Sequence, residues 1–118
     1  MLSLILIVAQ FVSLDCIIVN ASAYTACKEE CDASPDTTAG MTTPTPGRTL
    51  GISRDLWHLR GKLVYVQGVG LRRVEDKMAE RFQQSIDVLF ASKPEAMEYG
   101  RKDVKLWVLK RKETKRHD

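Results

Sequence analysis

The stretch Val74–Phe90, VEDKMAERFQQSIDVLF, decides how this chain is interpreted, because it carries two aspartates beside or within apolar runs. Asp76 follows a short strand-like run, and Asp87 lies inside IDVLF (residues 86–90), eleven positions later. Burying an ionised carboxylate is costly unless it is paired or its pKa rises. An aspartate in such a run therefore either satisfies a local hydrogen bond or is kept as an acid for chemistry.

The N-terminus differs in composition from the rest of the chain. Met1–Val19 has a single charged residue, and the Ala-Ser-Ala at 21–23 has the small-x-small form of a signal-peptidase site. We predict a signal peptide over residues 1–23, cleaved after Ala23, and export to the periplasm, the cell envelope or the medium. An uncleaved membrane anchor is one alternative, since the apolar run is just long enough to span a bilayer. Lipidation at Cys16 is another.

The chain as a whole has the composition of one globular domain and a mild net charge of +3. Basic residues are concentrated in the tail, residues 111–118, which we interpret as solvated; attraction to a polyanion is the alternative. No aromatic residues are interleaved with these bases, so no nucleic-acid partner is expected.

Cysteine usage agrees with export. Cys27 and Cys31 form an even pair in CKEEC, and in an oxidising compartment they would form a short-loop disulfide. His58 and His117, the two histidines, are not in metal-ligand spacing, so we predict neither a metal site nor a cofactor.

The pattern along the chain predicts a small β-protein. Residues 24–47 are rich in Thr, Pro and Gly and are predicted to be a loop-rich arm. Ser92 is a suitable N-cap for a helix that ends near Tyr99, before Gly100. Short strands are predicted at residues 48–53, 62–67, 71–74, 85–90 and 104–109. Five or six short strands with one late helix predict a closed β-barrel.

Within that barrel we place the strand aromatics Tyr65 and Trp107 in the core, and we interpret residues 76–84 as a loop. The glycine pair in Gly68-Val69-Gly70 is typical of a hairpin between two of the strands.

Taken in order, these segments resemble the three-aspartate (3D) domain, found in membrane-bound lytic murein transglycosylase A and in small exported bacterial cell-wall proteins. The resemblance covers Tyr24–Lys110 and includes Thr-Ala-Gly at 38–40 in the arm. It is carried by Asp55, KLVYVQGVG (62–70), VED (74–76), ID (86–87), EAMEYGRK (95–102) and VKLWVLK (104–110).

The resemblance implies a six-stranded double-psi β-barrel over residues 48–110, with the arm as part of it. It also implies cleavage of the β-1,4 bond between N-acetylmuramic acid and N-acetylglucosamine in peptidoglycan. The expected partner is the glycan strand of peptidoglycan, and the protein is expected to be a monomer. Asp87 matches the position of the catalytic acid, with Asp76 as its companion and Asp55 as the third aspartate of the site. A single acid/base suffices because the C6 hydroxyl of the muramic sugar attacks and closes a 1,6-anhydro ring.

The residues themselves fit that assignment and leave alternatives open. A carboxyl between Ile86 and Val88 is expected to have a raised pKa, as a general acid requires. The alternatives are that Asp55 caps a turn, that Asp76 accepts a hydrogen bond at a strand end, and that Asp87 lies on an outward surface.

Between Asp76 and Asp87 this chain has no glycine, whereas the family has a glycine-rich loop there. The candidate substrate contacts are Arg81, which would replace some of the lost contacts, and Phe82, which would stack on a sugar ring; the alternative is that both are ordinary loop residues. Trp57, beside Asp55, is either a sugar platform or a core residue. Two functions follow: a lytic transglycosylase-like enzyme, or a non-catalytic barrel that binds glycan or a protein, as expansin-like barrels do.

Overall fold

A computed structural model describes residues 11–26 and 37–111. Within them lie six strands, a 3-10 helix η1 (Arg54–Leu59) and an α-helix α1 (Lys93–Tyr99). The strands are β1 (Phe11–Tyr24), β2 (Thr49–Ile52), β3 (Leu63–Val66), β4 (Gly70–Lys77), β5 (Ser85–Leu89) and β6 (Lys102–Arg111). The predicted mostly-β fold, with a short helix before the last strand, is confirmed.

The six strands close into a barrel in the order β1-β5-β2-β4-β3-β6, with β6 pairing back to β1. The pairs β1–β5 and β2–β4 are parallel, and the other four are antiparallel. Because the sheet closes on itself, every strand has a partner on both sides, which removes the exposed edges that invite aggregation.

The barrel interior is filled by aliphatic side chains. Burying each large one contributes about 1.5–3 kcal/mol. The core consists of Val19, Ala21, Leu50, Ile52, Leu59, Val64, Val66, Val74, Ile86, Val88, Val104, Leu106 and Val108.

The prediction that the two strand aromatics are core residues is wrong. Tyr65 lies between the buried Val64 and Val66 and is 45% exposed, because side chains alternate between the two faces of a strand. Trp107 is half-buried beside it on the outer face, with ring centroids 5.7 Å apart.

Helix α1 begins and ends as its sequence predicts. The Ser92 hydroxyl accepts a hydrogen bond from the backbone N–H of Glu95 at 3.4 Å, and Pro94 lies in the first turn. Gly100, with φ of 67°, ends the helix in a backbone conformation that other residues adopt only with strain.

The predicted signal peptide overlaps strand β1. Val19 and Ala21 are core residues, and β1 pairs with both β5 and β6. A chain cut after Ala23 would keep only Tyr24 of β1 and would therefore lack one of the six strands of this barrel. The barrel also includes residues well before the expected boundary of 48–110.

Several predictions concern residues outside the described part: residues 1–10 of the signal peptide, the Cys27–Cys31 disulfide and the tail from residue 112. Cys16, on β1, is a free and exposed thiol. In the part of the chain that the structure covers, no helix is both long and apolar enough to cross a membrane.

Candidate active site

Four residues form a row across four neighbouring strands on the outer face of the barrel. Ser22 pairs with Asp87, Asp87 with Gly51, and Gly51 with Asp76. Neighbouring strands are about 4.8 Å apart, so the two aspartate backbones are separated by about 10 Å. Only a glycine lies between them in this row, which leaves open space where a side chain would otherwise stand.

A β-bulge brings Asp76 into this row. Leu50 pairs with Val74, but the next residue, Gly51, pairs with Asp76, so Glu75 is the extra residue of the bulge. In regular pairing, Glu75 would lie opposite Gly51. Bulges re-aim side chains in this way and are common beside active sites.

The side chain of Glu75 holds the bulge in place. It is buried and accepts hydrogen bonds from Arg48 Nε at 3.0 Å and from Thr49 Oγ1 at 2.9 Å. Burial alone would raise the pKa of Glu75, but hydrogen bonds from Arg48, Thr42 and Thr49 outweigh burial and lower the pKa. This carboxylate is therefore a structural anchor rather than an acid.

Asp87 is largely buried between two apolar residues, and Ser22 Oγ donates a hydrogen bond to Oδ1 of Asp87 at 3.0 Å. Burial raises the pKa of Asp87 from 3.8 to about 6. The Ser22 hydrogen bond opposes this rise, the negative charge of Asp76 adds to it, and the positive charge of Arg101 opposes it. This carboxyl therefore holds its proton at mildly acidic pH, as a general acid must.

Asp76 is held by hydrogen bonds from three directions. Its Oδ1 accepts the backbone N–H of Ala39 at 3.0 Å and that of Lys77 at 2.9 Å, and Oδ2 accepts the Tyr24 hydroxyl at 3.4 Å. The N–H of Gly40 bonds to the carbonyl oxygen of Glu75 at 2.8 Å, so the arm contacts the bulge directly. Thr-Ala-Gly at 38–40 thus positions Asp76.

A groove of about 270 Å³ opens over this row, and both aspartates line it. We call it the acid groove. Its lining residues are Tyr24, Gly51, Asp76, Lys77, Met78, Ala79, Phe82 and Asp87.

The other predicted substrate-binding residues have different positions. Phe82 lies in the acid groove, and the guanidinium of Arg81 lies 4.5 Å from the centroid of its ring. Trp57 packs against the core from η1, with Lys77 Nζ 5.0 Å from the centroid of its ring. The structure thus brings Phe82 to the aspartates, while Arg81 and Trp57 do not line the acid groove.

Asp55 contacts the backbone rather than the groove. Its carboxylate accepts the N–H of Gln84 at 3.0 Å, and hydrogen bonds from the Ser53 hydroxyl and that N–H hold the pKa of Asp55 below its ordinary value. Gln84 has a φ of 46° and also donates its side-chain amide to the carbonyl of Ile18 at 2.7 Å. Asp55 is therefore a positioning residue that holds Gln84, the residue before β5, three residues before Asp87.

A second groove, of about 360 Å³, lies beside helix α1 and shares Tyr24 with the acid groove. We call it the α1 groove. Its lining residues are Ser22, Ala23, Tyr24, Lys93, Ala96, Met97, Gly100 and Arg101.

Sequence reasoning missed Ser22, Tyr24, Gly51 and Arg101. Ser22 was hidden by its assignment to the signal peptide and Tyr24 by its assignment to the loop-rich arm, although alternation in VNASAY (residues 19–24) is also a strand signal. Among residues 11–26 and 37–111, no three His, Cys, Asp or Glu side chains gather as a metal site requires.

Neither a protein-family model nor a curated protein matches this chain. Its candidate chemistry is therefore defined by the acid groove. That groove contains one carboxyl that holds its proton and a second that is fixed by backbone hydrogen bonds. Two acidic groups with such different surroundings are typical of sites that divide proton transfer and charge stabilisation between them.

Proposed function

We propose that this protein is a lytic transglycosylase of the three-aspartate (3D) type, which cleaves the bond between N-acetylmuramic acid and N-acetylglucosamine in peptidoglycan. The observation that carries the proposal is Asp87, a carboxyl with a pKa of about 6 in an open groove. A single acid of this kind suffices when the substrate supplies its own nucleophile, whereas most glycosidases need two carboxylates.

In the proposed reaction, Asp87 donates its proton to the glycosidic oxygen as the bond from this oxygen to C1 of the muramic sugar breaks. The positive charge that develops at C1 is quenched by the C6 hydroxyl oxygen of the same sugar. The Asp87 carboxylate takes the proton of that hydroxyl and returns to its starting state. The products are a 1,6-anhydro sugar and a new glycan end, with no water consumed.

Asp76 would stabilise the positive charge at C1. Its carboxylate is oriented by the N–H groups of Ala39 and Lys77, so little reorganisation is needed as charge develops. The same negative charge contributes to the raised pKa of Asp87. Phe82 would pack against a sugar ring on the same side of the groove.

Membership of the 3D family is supported by the order of Asp55, Asp76 and Asp87 in a closed six-stranded barrel. It is also supported by the contact of Thr-Ala-Gly at 38–40 with Asp76. Because peptidoglycan lies outside the cytoplasm, we propose that the protein is exported. In an exported protein with this barrel, strand β1 stays on the mature chain.

The test uses the purified full chain and insoluble peptidoglycan, with soluble products identified by mass spectrometry. Wild type is expected to release 1,6-anhydromuropeptides, and Asp87→Asn is expected to lower the rate by about 10²–10⁴ with the barrel intact. Asp103→Asn, an exposed aspartate on β6 outside both grooves, is the matched control and should keep full activity.

Hydrolytic products without an anhydro ring would contradict the single-acid mechanism. Binding to peptidoglycan with no cleavage between pH 4 and pH 8 would favour the non-catalytic glycan-binding function instead. Circular dichroism of each variant separates loss of chemistry from loss of fold.

A further inference from the structure

The α1 groove carries positive charge directly beside the catalytic acid. Lys93 lies at the start of helix α1, and Arg101 follows the glycine that ends it. Both side chains line the groove together with the apolar Ala23, Ala96 and Met97, and Met97 is 72% exposed. The groove therefore offers cationic groups at its side and apolar surface along α1.

Two independent observations place Arg101 close to Asp87. In the antiparallel register of β1 and β6, Ala21 lies opposite Lys102, so the next pair along brings Arg101 towards Ser22. Ser22 is the hydrogen-bond donor to Asp87 and also lines the α1 groove. In addition, the charge of Arg101 acts directly on the Asp87 carboxyl.

The charges around the acid groove make this position significant for substrate binding. Asp76, and Asp87 once it has lost its proton, repel any anionic ligand that enters the groove. Cations on the adjoining side offset this repulsion for a ligand whose negative charge lies beyond the reacting sugar. A guanidinium suits a carboxylate in particular, because it donates two parallel hydrogen bonds.

We propose that the α1 groove is a subsite for a carboxylate-bearing substituent of the glycan strand, bound by Arg101 and Lys93. The inference rests on the proposed function and names the part of the substrate that this groove recognises. Where the muramic sugar bears a peptide, its lactyl carboxyl is an amide and the negative charges are the carboxylates of that peptide. Where the peptide has been removed, the lactyl ether carries a free carboxylate. The apolar surface of Met97 and Ala96 would contact the aliphatic part of the same substituent.

The experiment measures binding rather than cleavage, in full chains that carry Asp87→Asn so that no ligand is consumed. Three probes are compared: peptide-bearing glycan strands, amidase-treated strands in which the lactyl carboxylate has been freed, and a neutral chitooligosaccharide. Each is titrated against the parent, against Arg101→Gln and against Lys93→Gln. Lys105→Gln is the matched control, because Lys105 is an exposed lysine on β6 that lines neither groove.

Arg101→Gln is expected to weaken binding of a carboxylated probe by about two- to fivefold, the size of one partly exposed charge pair, and high salt should abolish the difference. A loss confined to peptide-bearing strands assigns the groove to the peptide carboxylates. A loss confined to amidase-treated strands assigns it to the lactyl carboxylate, and a loss on both carboxylated probes shows that either carboxylate occupies it.

Equal losses on the neutral chitooligosaccharide, or no loss on any probe, would overturn the subsite. If the proposed function is wrong, the wild-type protein releases no anhydro products, which is a different result from the loss of these binding differences. Binding contrasts between variants are therefore interpretable whether or not cleavage is observed.

Discussion

Gly51 lies directly opposite Asp87 across an antiparallel strand pair, and a Cβ added to Gly51 would stand 3.3 Å from the Cβ of Asp87. On its other side, Gly51 pairs with Asp76. Its missing side chain thus leaves the two carboxyls facing one open space. The width of the acid groove depends on this single position.

Gly51→Ala is expected to displace Asp87 and lower glycan cleavage, with a loss of stability of about 1–3 kcal/mol from overpacking. The measurements are thermal unfolding and the rate of anhydro-product release per folded molecule. Leu50→Val, the inward neighbour on β2, is the control: it should cost about 1 kcal/mol and leave the rate per folded molecule unchanged. Equal rates for Gly51→Ala and wild type would show that the groove tolerates a methyl group here.

The pH dependence of kcat/KM should follow the protonated fraction of Asp87. Since the pKa of Asp87 is about 6, activity should fall about tenfold for each pH unit above that value. Ser22→Ala removes a hydrogen bond that lowers this pKa, so the falling limb should move to higher pH. The control is Ser92→Ala, which removes the cap of α1 and should leave the limb in place. If Ser22→Ala leaves the falling limb of the pH profile unchanged, Asp87 is not the acid that the profile reports.

Stability should depend on pH through the same carboxyl. The folded-state pKa of Asp87 is above its ordinary value of 3.8, so ionisation costs folding free energy as pH rises from about 4 to 6. Asp87→Asn avoids this cost and should stabilise the barrel by up to about 3 kcal/mol above pH 6, with no gain near pH 4. Denaturant unfolding at both pH values measures the difference.

Asp55→Asn should change stability at neutral pH in the opposite direction to Asp87→Asn. Hydrogen bonds lower the pKa of Asp55, so its carboxylate contributes stability that is present at neutral pH and is lost as pH falls through the folded-state pKa. The substitution should therefore destabilise the protein at pH 7 and have little effect in strong acid. A gain in stability at pH 7 would show that the contact with Gln84 does not support the fold.

Strand β1 should be indispensable for folding. A chain that begins at Tyr24 lacks Val19 and Ala21 from the core and leaves β5 and β6 each without one partner, so it should not form the barrel. A chain that begins at Phe11 should fold. Far-ultraviolet circular dichroism and amide exchange compare the two chains, and a cooperative unfolding transition in the shorter chain would contradict this role for β1.

The sequence predicted strands β2 to β6 and the capped helix, and it singled out Asp76 and Asp87, because those signals are local. Ser92 and Gly100 mark the ends of α1 through their own chemistry, and apolar neighbours mark Asp87 as buried. The bulge at Glu75 could not be predicted from the sequence. It exists only in the pairing of β4 with β2, and these two strands are far apart in the sequence. Tyr65 was misplaced because its outward orientation depends on which face of β3 is turned to the core.

The signal-peptide prediction and strand β1 concern the same residues for a related reason. A run of aliphatic residues followed by small ones has the same composition in a signal peptide and in a strand that closes a barrel. Only its partners, β5 and β6, distinguish the two, and they lie more than 60 residues away in the chain.

The pairing of β1 with β5 and β6 also has a consequence for how the protein is made. Strand β1 lacks its two partners until β5 and β6 have been synthesised, so the barrel cannot close before β6 is made. Contacts of such long sequence separation slow folding, because the chain entropy of closing a long loop is lost before the contacts form. The growing polypeptide therefore passes through a period in which strands β1 to β5 have been made but the barrel is still open.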